Sequence, residues 1–228
     1  AAMLLMCSAA GVGAGCGKSS PALLDSFGTH LDTLMTSKDK LSKMDGAAAD
    51  LCVIENEDEF SENDIEAPAG ALFNITDQKT LYSKNANDER EIASITKIMT
   101  ALLAMKYADL SQEVTISYTP EGLESSAVLC GFEQGDKMML SSLLSAALIY
   151  SGNDAAIDIA IAVAGSQEAF VDMMNQESKE LMTSHTHFAN PTGLTQSKHY
   201  SSAYDVYLMF QECLKYPTFR DIIARGSF

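Results

Sequence analysis

Residues 98–105 leave almost no polar face, and this feature restricts the possible folds more than any other in the sequence. A helix that is apolar all round must be enclosed by other elements. Directly before this stretch lie Ser94 and Lys97. Residues three positions apart on a helix lie on the same face, one turn along. The sequence therefore predicts a buried helix over about 94–107 that begins with a serine hydroxyl and a lysine amine side by side.

This pairing is a candidate for covalent catalysis. A serine hydroxyl is a poor nucleophile unless a base lies within hydrogen-bond reach. Lysine can be that base only where burial or nearby positive charge lowers its pKa. The apolar residues after Lys97 favour such a setting, so Ser94 is the candidate nucleophile and Lys97 its candidate base. Backbone N–H groups at the helix start are suited to hold an oxyanion.

Similar spacings occur twice more in the chain. Ser37 and Lys40 repeat the serine-to-lysine spacing, and Ser61 and Asn63 repeat a Ser-x-Asn pattern. Both pairs lie in polar, charge-rich stretches with no apolar helix behind them. We interpret them as solvated surface.

A second polar motif, Ser151-Gly-Asn153, separates two apolar stretches at 143–150 and 155–164. Two interpretations remain open from the residues alone. The triplet either projects a hydroxyl and an amide into a cleft, or forms a glycine turn between two helices with Ser151 or Asn153 as an N-cap.

Four segments of the chain resemble segments of the D-alanyl-D-alanine carboxypeptidases and follow one another in the same order as in that family. These are the low-molecular-mass penicillin-binding proteins of the penicillin-binding protein and serine β-lactamase superfamily. The segments are residues 81–102, 151–156, 186–194 and 200–205. The resemblance covers roughly residues 68–228, and one departure is Ile92, where family members commonly carry proline.

The resemblance implies a role for each candidate residue. Ser94 would be the acylated nucleophile, Lys97 its general base, Ser151 a proton relay to the leaving amine, and Asn153 a hydrogen-bonding partner of the substrate amide. The implied substrate is a peptidoglycan stem peptide ending in D-Ala-D-Ala, with β-lactams as covalent inhibitors. Two alternatives stay open: a non-catalytic penicillin- or peptidoglycan-binding remnant, and a serine β-lactamase.

The third motif of this class, Lys-Thr-Gly, occurs nowhere in the 228 residues. In the family it binds the substrate carboxylate from a strand facing the nucleophile. The expectation is therefore a fragment that is inactive as given. Its expected α+β fold is transpeptidase-like, with a helical subdomain and an antiparallel sheet reduced to its N-terminal hairpin.

Local patterns supply the expected elements. Residues 70–76 and 80–83 flank a short polar turn and predict a β-hairpin. Helical periodicity predicts further helices at about 140–150, 153–164, 166–182 and 205–214.

Three segments are expected in the domain organisation: a leader at 1–16, a stalk helix and acidic linker at 17–67, and the carboxypeptidase-like domain at 68–228. Much of the net charge of −16 lies in residues 55–66. This charge, without a basic patch, argues against nucleic acid or anionic membrane surfaces as partners.

The first residues resemble an export signal. Residues 3–15 are apolar, too short to span a bilayer, and followed by Cys16. The stretch before Cys16 is similar to a bacterial lipoprotein cleavage site, although Gly13 stands where leucine is usual. An ordinary secretion signal and an uncleaved anchor are the alternatives. The protein is expected to be bacterial and extracytoplasmic, contacting the membrane only through this N-terminal anchor.

Three histidines, His185, His187 and His199, raise the question of a metal. Neither a cysteine nor a carboxylate set with metal-ligand spacing accompanies them, so we expect no metal and no cofactor.

Overall fold

The computed structural model describes residues 2–7, 51–54, 65–118, 123–125 and 127–225. The chain divides into two compact units, Ala1–Asp88 and Glu89–Phe228. The predicted stalk helix, most of the acidic linker, Cys16, Ser37 with Lys40, and Ser61 with Asn63 all lie outside the described residues.

The first unit contains a three-stranded antiparallel sheet in the order β1-β2-β3. Its strands are β1 (Ala2–Cys7), β2 (Ala69–Asn74) and β3 (Lys79–Lys84). Every residue of β2 is buried. A small core joins side chains of these strands, Leu72, Leu81 and Tyr82, to Ile65, with Ala67 beside them. The predicted hairpin is confirmed as β2 and β3.

Asn74 determines the turn between β2 and β3. Its side-chain oxygen accepts hydrogen bonds from the backbone N–H groups of Thr76 and Asp77, both at 3.1 Å. Its amide nitrogen donates to Asp77 Oδ2 at 2.9 Å. An asparagine that bonds its own following backbone in this way replaces strand pairing with a turn.

The sheet requires one correction to the expected fold. The hairpin was expected to be the whole sheet, but Ala2–Cys7 adds a third strand along β2, from the pair Ala2 and Asn74 to the pair Cys7 and Ala69. An edge strand presents a row of N–H and C=O groups that pair with any extended segment within reach. The signal-like role of residues 1–16 stays a prediction.

The second unit is mainly helical. Its helices are α1 (Lys97–Tyr107), α2 (Leu140–Ser145), α3 (Asn153–Ala164), α4 (Gln167–Glu180), α5 (Ala203–Cys213) and α6 (Pro217–Ile223). A 3-10 turn, Ala93–Thr96, leads into α1, and a π-helical turn, Ala146–Tyr150, ends α2. A two-stranded sheet joins β4 (Glu113–Thr115) to β5 (Lys137–Met139). The predicted helices are confirmed, whereas β4, β5 and α6 are additional.

Helix α1 lies at the centre of this unit, in contact with α3, α4 and α5. Its residues from Met99 to Ala104 are buried, as the absence of a polar face predicted. Local signals set the boundaries of its neighbours. Ser166 and Ser202 cap α4 and α5 by accepting hydrogen bonds from the N–H groups of Ala169 and Asp205, both at 3.1 Å.

No helix within the described part of the chain is both long and apolar enough to cross a bilayer. The α+β class with antiparallel sheets agrees with the expected fold.

Candidate active site

The turn before α1 presents Ser94 at the surface and Lys97 beneath it. Ser94 is exposed, whereas Lys97 is only 2% exposed. Lys97 Nζ lies 3.3 Å from Ser94 Oγ, as the three-residue spacing predicted. Ala93, directly before the serine, has φ of 45°, which is unusual for a residue with a side chain. The sharp turn lifts Ser94 out of the helix while Lys97 stays inside.

The Lys97 amine has two further partners besides Ser94. It donates to Asn153 Oδ1 and to the Thr192 carbonyl oxygen, both at 2.8 Å. Burial lowers the pKa of Lys97 from its ordinary 10.5 to about 8, although the charges of Cys130 and Asp154 oppose the shift. Because the pKa lies near neutrality, a substantial fraction of the amine is uncharged at mildly alkaline pH.

The geometry around Lys97 accommodates the amine in both protonation states. The charged amine donates its third N–H to Ser94 Oγ. A neutral amine has two N–H donors and one lone pair. The two short hydrogen bonds, to Asn153 Oδ1 and the Thr192 carbonyl, use both donors. The lone pair is then left for the third neighbour, the Ser94 hydroxyl at 3.3 Å. Lys97 is thus placed to accept the proton of Ser94.

Ser151 approaches Ser94 from the opposite element. Its hydroxyl donates to Ser94 Oγ at 2.9 Å. The residue follows the π-helical turn and has a left-handed backbone with φ of 62°. Single π-helical turns occur often at functional sites because they displace the residues after them from the helical path. Here the displaced residue brings a second hydroxyl to the nucleophile.

Asn153 begins α3 and is 4% exposed. Its side-chain oxygen accepts from Lys97, and its amide nitrogen donates to the Val128 carbonyl oxygen at 3.1 Å. Contact between Asn153 and a substrate amide stays a prediction.

Asp154 holds the loop on which Val128 lies. Its carboxylate accepts from the backbone N–H groups of Cys130 and Gly131 at 2.9 Å and 3.0 Å. The backbone N–H of Asn153 also donates to the Val128 carbonyl, at 2.9 Å. These contacts fix the orientation of the Asn153 amide toward Lys97.

The loop 190–194 forms the other wall of the Lys97 site. Asn190 Oδ1 accepts from the backbone N–H groups of Thr192 and Gly193, at 3.1 Å and 2.7 Å. Thr100, one turn along α1 from Lys97, donates its hydroxyl to the Pro191 carbonyl at 2.7 Å. The loop is therefore anchored both internally and to α1.

The structure brings together Ser94, Lys97, Ser151 and Asn153, the four predicted site residues of the domain. The Thr192 carbonyl was not predicted, because a backbone oxygen has no signature in a sequence. Its only signal was the position of Thr192 inside the family-like segment 186–194. In the described ranges, residues 2–7, 51–54, 65–118, 123–125 and 127–225, no group of three or more metal-ligating side chains occurs.

Comparison with known proteins gives consistent matches. The sequence profile of peptidase family S11, D-alanyl-D-alanine carboxypeptidase, matches residues 56–224. The D-alanyl-D-alanine carboxypeptidase DacF of Bacillus subtilis strain 168 is 42% identical over 156 residues, which cover 66% of this chain and 40% of DacF. The chain thus spans well under half the length of this curated relative.

Solved structures show the same relationship in the fold. A serine-to-alanine mutant of the Streptomyces K15 DD-transpeptidase aligns with a TM-score of 0.65 and 30% identity, covering 69% of this chain and 65% of that one. Penicillin-binding protein 6B from Escherichia coli aligns with a TM-score of 0.62 and 26% identity, covering 66% of this chain and 51% of that one. The expected transpeptidase-like fold is therefore confirmed.

Gly193 provides a test of how closely loop 190–194 packs on the nucleophile turn, the 3-10 turn Ala93–Thr96 that carries Ser94. Its φ is 86°, and a Cβ added there would lie 1.9 Å from the Ala93 carbonyl oxygen. Gly165 has φ of 83° with nothing within 4 Å of an added Cβ. Gly165→Ala should cost about 1 kcal/mol for backbone strain alone. Gly193→Ala should cost about 1–3 kcal/mol more, because backbone atoms must move.

Urea denaturation of both variants measures this difference. Equal losses of stability in Gly165→Ala and Gly193→Ala would show that the loop does not press against Ala93 in solution.

Proposed function

Because the chain belongs to the D-alanyl-D-alanine carboxypeptidase family, we propose that it carries the acylating site of a serine-type D-Ala-D-Ala carboxypeptidase. The substrate is a peptidoglycan stem peptide, and β-lactams are covalent inhibitors that imitate it. The observation that supports this proposal most strongly is the buried Lys97 amine, whose Nζ lies 3.3 Å from Ser94 Oγ and 2.8 Å from both Asn153 Oδ1 and the Thr192 carbonyl.

The proposed first step is transfer of the Ser94 proton. Ser94 Oγ attacks the carbonyl carbon of the penultimate D-alanine as its proton passes to Lys97 Nζ. The carbonyl π electrons move to oxygen and give a tetrahedral oxyanion. The backbone N–H of Ser94, at the beginning of the 3-10 turn, is a candidate donor to that oxyanion, since the first N–H groups of a helix have no helical partner.

Collapse of the intermediate releases the terminal D-alanine. The C–N bond breaks, and the leaving nitrogen takes a proton. Ser151 Oγ is suited to deliver it, because its hydroxyl lies 2.9 Å from Ser94 Oγ. The proposal includes transfer of the proton on Lys97 to Ser151 in its place. Water then attacks the Ser94 ester. Lys97, neutral again, accepts the proton from that water. The bond between the carbonyl carbon and Ser94 Oγ then breaks, Ser94 Oγ takes the proton back from Lys97, and the shortened peptide leaves.

Asn153 and the Thr192 carbonyl keep Lys97 in place through these steps. Both are acceptors, so they bind the charged and the neutral amine. The lysine therefore gains and loses a proton without leaving its site. Asn153 is also proposed to contact the substrate amide.

The protein is proposed to act outside the cytoplasm of a bacterium, where peptidoglycan lies. Lipid attachment at Cys16 is a separate proposal that rests only on the sequence before that residue. Metabolic labelling with a radioactive fatty acid, compared between the wild type and Cys16→Ser, tests it. Equal labelling would contradict it.

Acylation is tested with a labelled penicillin and the product of the complete coding sequence. We expect one adduct, an ester at Ser94, located by mass spectrometry of the tryptic peptides. Ser94→Ala should abolish it, whereas Ser37→Ala, in the other Ser-x-x-Lys sequence, should leave it intact. Label on Ser37, or unchanged labelling of Ser94→Ala, would exclude Ser94 as the nucleophile.

Release of D-alanine from a D-Ala-D-Ala peptide then distinguishes a carboxypeptidase from a β-lactamase, which would instead hydrolyse the penicillin.

The role of Lys97 is tested by substitution. Lys97→Ala should slow acylation by at least about 10²-fold, the lower range for loss of a positioned base. Lys97→Arg should be nearly as slow, since a guanidinium stays protonated. Lys106→Arg, on the same helix but paired with Glu177 at 2.7 Å, is the matched control and should acylate normally. Near-normal acylation by either Lys97 variant would assign the base to another group.

A further inference from the structure

One residue of the nucleophile turn is held by a side chain distant in sequence. Thr96, between Ser94 and Lys97, is 1% exposed. Its hydroxyl oxygen lies 2.6 Å from His199 Nε2, across 103 positions of the chain. His199 is itself 5% exposed. None of the catalytic steps proposed above uses either side chain.

The other ring nitrogen of His199 determines the direction of this hydrogen bond. The backbone N–H of Ala189 donates to His199 Nδ1 at 3.0 Å. Nδ1 must therefore carry a lone pair and no proton. A neutral imidazole has one N–H, so its proton is on Nε2. His199 Nε2–H thus donates to Thr96 Oγ1.

The surroundings keep the ring neutral. The Phe188 ring meets it edge-on, with the centroids 5.9 Å apart. Burial first, and the nearby His187 second, lower the pKa of His199 to about 4. At neutral pH the ring therefore has one donor and one acceptor, and both are used.

The two partners of His199 belong to the two parts of the Lys97 site. Thr96 is in the turn that presents Ser94, and Ala189 directly precedes the loop 190–194 that presents the Thr192 carbonyl to Lys97. The backbone N–H of His199 also donates to the carbonyl of Gln196, two residues beyond the end of this loop, at 3.1 Å. The His199 ring thus joins the nucleophile turn to the segment that carries the loop, alongside the direct contacts of Lys97 and Thr100 with the loop.

We propose that His199 is a positioning residue for acylation, holding the Ser94 turn against the loop that orients Lys97 through its bonds to Thr96 and Ala189. This inference rests on the proposed function, since it concerns the geometry of the same serine and lysine. His199 does not touch the reacting atoms. Its effect passes through Thr96 and Ala189.

The first experiment is a double-substitution cycle on the product of the complete coding sequence, read by penicillin acylation. His199→Phe keeps a planar ring but has no N–H, and Thr96→Val keeps the shape of threonine without its hydroxyl. Each should lower the acylation rate constant by roughly 10–100-fold, the range for misplacing a reacting group by a fraction of an ångström to about 1 Å. Reversible penicillin affinity, measured separately, should stay within about twofold.

His199→Phe already removes the bond that Thr96→Val removes, together with the bond from the Ala189 N–H. The combined variant should therefore be no slower than His199→Phe alone. Thr96→Ser, which keeps the hydroxyl, should restore most of the rate. Multiplicative effects of the two substitutions, or an unchanged rate in His199→Phe, would overturn the inference. A wild type that is not acylated at Ser94 would instead overturn the proposed function, and the inference with it.

A second measurement does not depend on how well the variants fold. Nitrogen NMR of the wild type labelled in histidine reports which ring nitrogen of each histidine carries the proton. At pH 7, His199 should show a protonated Nε2 and an unprotonated Nδ1. A charged ring, or a proton on Nδ1, would overturn the inference whatever the acylation rates.

Discussion

The burial of the Lys97 amine is the constraint on which the rest of the site depends. An ammonium group taken out of water must be paired or become neutral. Among the described residues, its hydrogen-bond partners are uncharged groups: the Asn153 amide oxygen, the Thr192 carbonyl and the Ser94 hydroxyl, which accepts from the charged amine and donates to the neutral one. Those partners come from three separate elements. Each element must therefore be positioned to within hydrogen-bond distance of one nitrogen.

Further hydrogen bonds hold the partners of Lys97 in position. Asp154 and Val128 orient the Asn153 amide, and Asn190 orders the loop that carries Thr192. The central helix α1 contacts α3 and α5, so it is held by packing as well as by the hydrogen bonds of Lys97 and Thr100. Of the four site residues, Ser94 is the exposed one, and it lies at a sharp turn. The base is therefore held rigidly, whereas the nucleophile stays accessible to a substrate.

Much of this could be predicted from the sequence, because the determining signals are local. The apolar stretch after Lys97 predicted a buried helix, and the three-residue spacing predicted the contact with Ser94. Helix α3 was predicted with its observed bounds, since the apolar run 155–164 follows the polar triplet 151–153 and ends before Gly165. The remaining features depend on distant parts of the chain. The Thr192 carbonyl, the His199 bond to Thr96, the pairing of β1 with β2 and the short strands β4 and β5 have no periodic pattern. Their geometry exists only once the fold brings the segments together.

The most direct test of this account is titration of the Lys97 amine itself. Nuclear magnetic resonance of protein labelled at the lysine ε positions follows each amine with pH, and Lys97→Arg identifies the Lys97 signal by its loss. Because burial outweighs the nearby negative charges, we expect a midpoint at about 8, well below the ordinary 10.5. A midpoint at 10.5 or above would contradict it. The lysine would then be charged throughout the physiological range and unable to take the proton of Ser94.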